Sequence, residues 1–160
     1  MRDVLVETNW VVGWAAPSHR AAHDAAELLE RAVQGALRLH VPAIALTEGR
    51  ATIRRKYQPR EADAIRTFLK ASSSTIALSD MHSTLRVLDT FESRVRRELD
   101  ALDGVLEGLR RMPNVHVFPL DTAALERAVE LASLPLDLQP FDQAILAAVR
   151  DAMAVVDLEL

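Results

Sequence analysis

Val4-Leu5-Val6-Glu7-Thr8-Asn9-Trp10-Val11-Val12 is the stretch on which the reading of the fold turns. Three aliphatic residues, two of them β-branched, form an apolar run almost at the first residue, and a carboxylate closes it. A short unbroken run of this kind suits a strand covered on both faces, as in a parallel sheet, and the expected first strand ends at Glu7. The apolar segment Trp10-Val11-Val12-Gly13-Trp14 follows.

Outward from this stretch, helical and strand-like patterns alternate. From Ser18 onward Ala22, Ala25, Ala26, Leu28, Leu29, Ala32 and Val33 recur at spacings of three and four, and Gly35 supplies a stop. Leu37 to Ile44 is β-compatible and interrupted at Pro42, which predicts a second strand ending near Val41 and a helix from about Ala45 that passes Glu48. A further helix is predicted over Glu61 to Ala71, ended by the loop Ser72-Ser73-Ser74-Thr75. Between Ser79 and Arg111, Leu85, Leu88, Phe91, Val95, Leu99, Leu102, Val105, Leu106 and Leu109 fall at near-heptad spacing among charges, the pattern of one or two long amphipathic helices. Val115 to Leu120 reads as a third strand, and Asp121 or Thr122 caps a helix from Ala123 to Ala132. A last helix is expected over Phe141 to Arg150 and a fourth strand at Ala154-Val155-Val156.

Parallel neighbours need crossover connections, so the alternation predicts a single α/β domain over residues 1–160, a three-layer α/β/α arrangement around a small, mostly parallel central sheet. A chain of 160 residues with 49% hydrophobic content is long enough for one sizeable core. With no cysteine, any metal must be held by oxygen or imidazole. No apolar run approaches the roughly 20 residues a membrane span requires, and the N-terminus shows no signal-peptide pattern, so the expected location is cytoplasmic. A net charge of −4 does not draw nucleic acid to the molecule as a whole, and any such site must be local. There is no Gly-rich phosphate loop.

Ligand sites in parallel α/β sheets form beyond the carboxyl ends of the strands. That rule selects Glu7 after the first strand, Glu48 after the second, Asp142 at the start of the last helix and Asp157 after the fourth strand. Val-Leu-Val-Glu-Thr-Asn-Trp-Val-Val and Phe-Asp-Gln-Ala-Ile-Leu-Ala-Ala both set an acid in apolar surroundings, where it calls for a partner or a cation. Carboxylate oxygens suit Mg2+ or Mn2+, and such ions can clamp the attacking and leaving oxygens of a phosphodiester. Arg50, Arg54 and Arg55, with Lys56 and Arg60, form a basic stretch after Glu48 that could hold substrate phosphates. Trp10, Trp14 and Phe141 sit among aliphatic residues and read as core or interface aromatics, and the 4% aromatic content argues against a base-stacking RNA binder. His19 and His23 lie four apart with no third ligand in view.

This arrangement resembles the PIN-domain family, in which an apolar strand, an acid, Thr and Asn come first, here Glu7-Thr8-Asn9. A second acid follows in a segment like Val41-Pro42-Ala43-Ile44-Ala45-Leu46-Thr47-Glu48, and a third in Phe141-Asp142-Gln143-Ala144-Ile145-Leu146-Ala147-Ala148. The resemblance implies a metal-dependent ribonuclease acting on RNA, with Glu7, Glu48 and Asp142 as catalytic ligands of Mg2+ or Mn2+, Asp157 as a further ligand, and Thr8 and Asn9 orienting the first carboxylate. It also implies a small antitoxin protein as partner, since many bacterial members are toxins held silent in this way. Three features depart from the family: the first acid is Glu7 in place of the usual Asp, the helical segment from Ser79 to Arg111 is longer, and the chain ends at Leu160 where members often continue, so the C-terminus reads as truncated. The alternative reading is a PIN-like module that has lost catalysis and binds protein or RNA. A third is a helical regulatory partner that uses the Ser79 to Arg111 segment, with Leu88 and Leu99, as the seam of a homodimer.

Overall fold

In the second strand, Leu37, Leu39 and Val41 alternate with Arg38, His40 and Pro42, and an alternation with period two gives a strand one apolar face and one mixed face. A computed structural model of the chain, describing residues 1–132, 143 and 145–148, places this strand at the centre of a three-stranded, wholly parallel sheet in the order β1-β2-β3. The strands are β1 (Arg2–Leu5), β2 (Leu37–Pro42) and β3 (Val115–Phe118). In register, Val4 lies beside Leu39 and Leu39 beside Val115, while Leu5 lies beside His40 and His40 beside His116.

The helices are α1 (Thr8–Ala15), α2 (His23–Val33), α3 (Ala43–Lys56), α4 (Arg60–Ala71), α5 (Leu78–Leu109) and α6 (Thr122–Ala132). Fully buried Leu37, Leu39 and Val41 meet Val11 of α1, Ala32 of α2, Ala45 and Ile53 of α3, and the Val95 to Leu109 side of α5 in one core. The crossovers β1 to β2 and β2 to β3 therefore both pass over the apolar face, as a constant crossover hand requires when each strand is added on the same side.

Several elements differ from the sequence-based expectation, each for a local reason. β1 ends at Leu5 and not at Glu7, because Glu7 is the N-cap of α1, its carbonyl accepting the amides of Trp10 and Val11 at 3.0 and 3.2 Å. α1 had no expected counterpart: its eight residues, with two valines and two tryptophans, carry no helix signal of their own, and packing supplies the stability that propensity does not. α2 begins at His23 after a turn at Ser18 to Arg20, and α3 begins at Ala43 directly after Pro42. β3 stops at Phe118, before Pro119, which has no N–H for a ladder.

Other expectations agree. Gly35, with φ +80°, ends α2 in a Schellman arrangement, its amide donating to the Ala32 carbonyl and that of Ala36 to the Arg31 carbonyl. Asn114, at φ 57°, donates from its side-chain amide to the Ala32 carbonyl at 2.9 Å and accepts from the Leu39 amide, tying the end of α2 to the start of β3. The charged segment forms one helix, α5, whose 32 residues extend roughly 48 Å. Its first half pairs with α4 around Ala62, Leu69 and Leu88, and there Arg66 binds the buried Glu92 and reaches Asp89 at 2.5 Å. Leu88 and Leu99, expected as a dimer seam, are buried within the chain itself. Residues 143 and 145–148 are helical, whereas the expected fourth strand lies outside the described residues.

The second face of the sheet carries Asp3, Arg38, His40, His116 and Phe118. Phe118 is covered by Ala148, and Ala147 packs on Ala128 of α6. Partial burial, with the charges of His40 and Arg38, lowers the pKa of His116 below its ordinary 6.5. The unfolded chain then takes up this proton first, so the His116 contribution to stability is complete above about pH 6.5 and is lost as pH falls towards the folded-state pKa. Urea melts should give lower stability at pH 5.5 than at pH 7.5, and His116→Gln should shrink that difference; an unchanged difference would show that other groups cause it.

Candidate functional site

Glu7 and Glu48 lie beyond the carboxyl ends of neighbouring parallel strands, Glu7 after β1 and Glu48 in the second turn of α3 after β2. The crossing of α1 and α3 brings Thr8, next to Glu7 in the chain, to Glu48. Gly49 is buried on α3, and a Cβ added there would stand 2.6 Å from Cγ1 of Val11 and 3.1 Å from its Cβ. Only glycine allows the helices this approach. At the same crossing Thr8, the first residue of α1, donates its hydroxyl to Oε2 of Glu48 at 2.7 Å across a half-buried gap.

Thr8 thus orients the second acid of the sequence motif, where the resemblance assigned it to the first. Glu7 itself is exposed, and no hydrogen bond holds its side chain at the α1 N-terminus. Asn9 is also exposed. Asp142 and Asp157 lie outside the described residues, though Gln143, next to Asp142 in the chain, is helical and buried. Among the described residues no three His, Asp or Glu side chains gather closely enough to hold a metal ion, so Glu7 and Glu48 make at most part of a ligand set.

The basic stretch divides. Arg50 grips Asp103 of α5 through both carboxylate oxygens, at 2.5 and 2.9 Å, and Arg54 reaches the same carboxylate at 3.3 Å. The guanidinium of Arg50 correspondingly lowers the Asp103 pKa. Both arginines are therefore engaged in joining α3 to α5, while Arg55 is exposed to solvent. Arg50 and Asp103 border a groove of about 380 Å3 between α3, α5 and β3, lined also by Thr47, Glu107 and Arg110. Glu48 is on the other flank of α3, towards α1.

Set against known proteins, the chain matches no family model, no curated sequence and no solved structure. No helix among the described residues is long and apolar enough to cross a membrane.

Three contributors escaped the sequence reading. Gly49 gave no signal because a glycine inside a helical pattern marks a close approach only once the partner helix is known. Asp103 is one acid among many on an amphipathic helix and acquires its role from α3 alone. The Asp3–His40 contact, 2.7 Å from Oδ1 to Nε2, was foreshadowed by the alternation of β2, which puts His40 on the face away from Leu39.

Gly49→Ala should lower stability by about 1–3 kcal/mol in urea unfolding, since overpacking outweighs the gain in helix propensity. In a Val11→Ala background the same substitution should cost less than half as much. Equal costs in the two backgrounds would mean that the Val11 contact does not set the helix spacing.

Proposed function

We propose that the chain is a PIN-like, metal-dependent ribonuclease with a three-layer α/β/α fold, cytoplasmic, and paired with an antitoxin protein. The observation that carries this reading is the 2.7 Å hydrogen bond from Thr8 to Glu48, which joins the Glu7-Thr8-Asn9 motif to the second acid at the carboxyl edge of the sheet. Two sequence segments that resemble the family at widely separated positions thereby meet at one place, where an α/β sheet exposes its ligand sites.

The donor set fits a hard divalent cation. Its oxygens are carboxylate, and because Thr8 occupies Oε2 of Glu48, Oε1 of that residue is left for a further ligand. Glu7, Glu48 and Asp142 would hold Mg2+ or Mn2+, with Asp157 beside them, and the cation would neutralise phosphate charge and polarise the reacting phosphodiester. Thr8 fixes the Glu48 carboxylate in one orientation, so no rearrangement is needed when RNA arrives. Glu7, exposed at the positive end of α1, lies where the helix dipole offsets carboxylate charge. Of Arg50, Arg54 and Arg55, Arg55 would be the one to meet a phosphate, because Arg50 and Arg54 are held by Asp103.

Purified protein incubated with mixed RNAs should cleave them with manganese and stop when chelator is added. Glu48→Gln and Asp142→Asn should each abolish cleavage while leaving the circular dichroism spectrum unchanged. Thr8→Val should lower the rate about 10–100-fold, the range for residues that orient a metal ligand. Cleavage that persists in Glu48→Gln counts against the site. If manganese produces neither cleavage nor a rise in Tm, the catalytically silent module is the better description.

A further inference from the structure

The second face of the sheet holds a separate group of side chains that the carboxylate site does not use. Asp3 of β1, His40 of β2 and His116 of β3 share this face, with His40 and His116 in direct register on adjacent strands. Oδ1 of Asp3 is 2.7 Å from Nε2 of His40, so the Nε2–H donates to the carboxylate, which favours the tautomer whose lone pair is on Nδ1. That Nδ1 is buried with no hydrogen-bond partner among the described residues, in a residue only 6% exposed. A buried imidazole acceptor is unfavourable unless a donor or a cation completes it.

Beside it stands a second imidazole. The rings of His40 and His116 are 5.5 Å apart at their centroids and inclined at 77°. Two imidazoles bound to one tetrahedral zinc, at about 2.1 Å per bond, have centroids roughly 5 Å apart, so this spacing needs little adjustment to share an ion. We propose that His40 and His116 form a two-imidazole site for a borderline-soft divalent cation, zinc foremost, with Asp3 as the carboxylate that orients His40. Carboxylate, histidine and metal in that order is a recurrent arrangement around bound zinc, because the carboxylate both sets the tautomer and raises the basicity of the ligating nitrogen.

The surrounding charges allow this. Burial, with the charge of Arg38 nearby, lowers the pKa of His116, which favours the neutral ligating form at pH 7. The hydrogen bond from His40 lowers the pKa of Asp3, and Arg38, 3.9 Å away, adds to it. No third His, Asp or Glu joins the pair among the described residues, so the expected affinity is micromolar and the remaining positions fall to water or an external ligand. His116 is on the exposed side, which gives an ion access. Imidazole nitrogen prefers zinc, copper or nickel over magnesium, so this site and the carboxylate site select different ions.

The full chain, freed of metal with chelator and kept in excess magnesium, is titrated with zinc by calorimetry. The expected result is one equivalent bound, unchanged in Glu48→Gln and in a His19→Ala, His23→Ala double variant. His116→Ala alters an exposed side chain and should keep the fold while losing the binding. Asp3→Asn should weaken binding about 10–100-fold. With copper in place of zinc, electron paramagnetic resonance should show coupling to two nitrogens, falling to one or none in His116→Ala. Absence of zinc binding overturns the proposal, as does binding that survives His116→Ala. Binding lost in Glu48→Gln and kept in His116→Ala would assign the ion to the carboxylates and equally overturn it.

Discussion

The contact between Gly49 and Val11 is the constraint on which the candidate site depends. Val11 is fully buried and β-branched, hence stiff, and the space it fills against α3 exists only because residue 49 has no side chain. A larger residue would push α1 away from α3 and take the Thr8 hydroxyl out of reach of Glu48. The geometry of a polar pair at the sheet edge is thus set by an apolar contact one turn below it, on helices whose own propensity is modest.

Around that crossing, polar groups divide into those that brace the structure and those left available. Asp103 draws Arg50 and Arg54 across to α5, and Arg66 is drawn onto Glu92 and Asp89 in the α4–α5 pair. Glu98 receives the backbone amide and hydroxyl of Ser18, at 2.8 and 2.6 Å, with Arg94 alongside, anchoring the turn between α1 and α2. α5 is therefore a long spine to which three separate parts of the chain are fastened. Glu7 and Asn9 stay exposed near the carboxyl edge, and Arg55 is exposed in the last turn of α3. A charge already satisfied within the fold has less to offer a substrate, and this is why the basic stretch contributes less to the proposed site than its composition suggests.

The two faces of the sheet differ in kind. One is aliphatic but for Arg2 at the start of β1, and it supports the main core. The other places a carboxylate and two imidazoles in adjoining strands, an arrangement that a sheet needing only hydrophobic cover would not require. Polar groups at such a position must satisfy one another or a ligand, and among the described residues His40 is satisfied at one nitrogen only.

The amino-acid sequence by itself determined the α/β class, the parallel sheet and most helix positions, because periodicity, Gly35 and the prolines act locally and leave their mark in adjacent residues. It marked Glu7 and Glu48 as acids following strands for the same reason. Only the tertiary structure decided that the segment after Glu7 is a helix, that Thr8 serves Glu48, that Arg50 and Arg54 belong to Asp103, and that Asp3, His40 and His116 adjoin. Each of these joins residues far apart in the chain, and such pairings are fixed by packing and strand register, which no local pattern encodes.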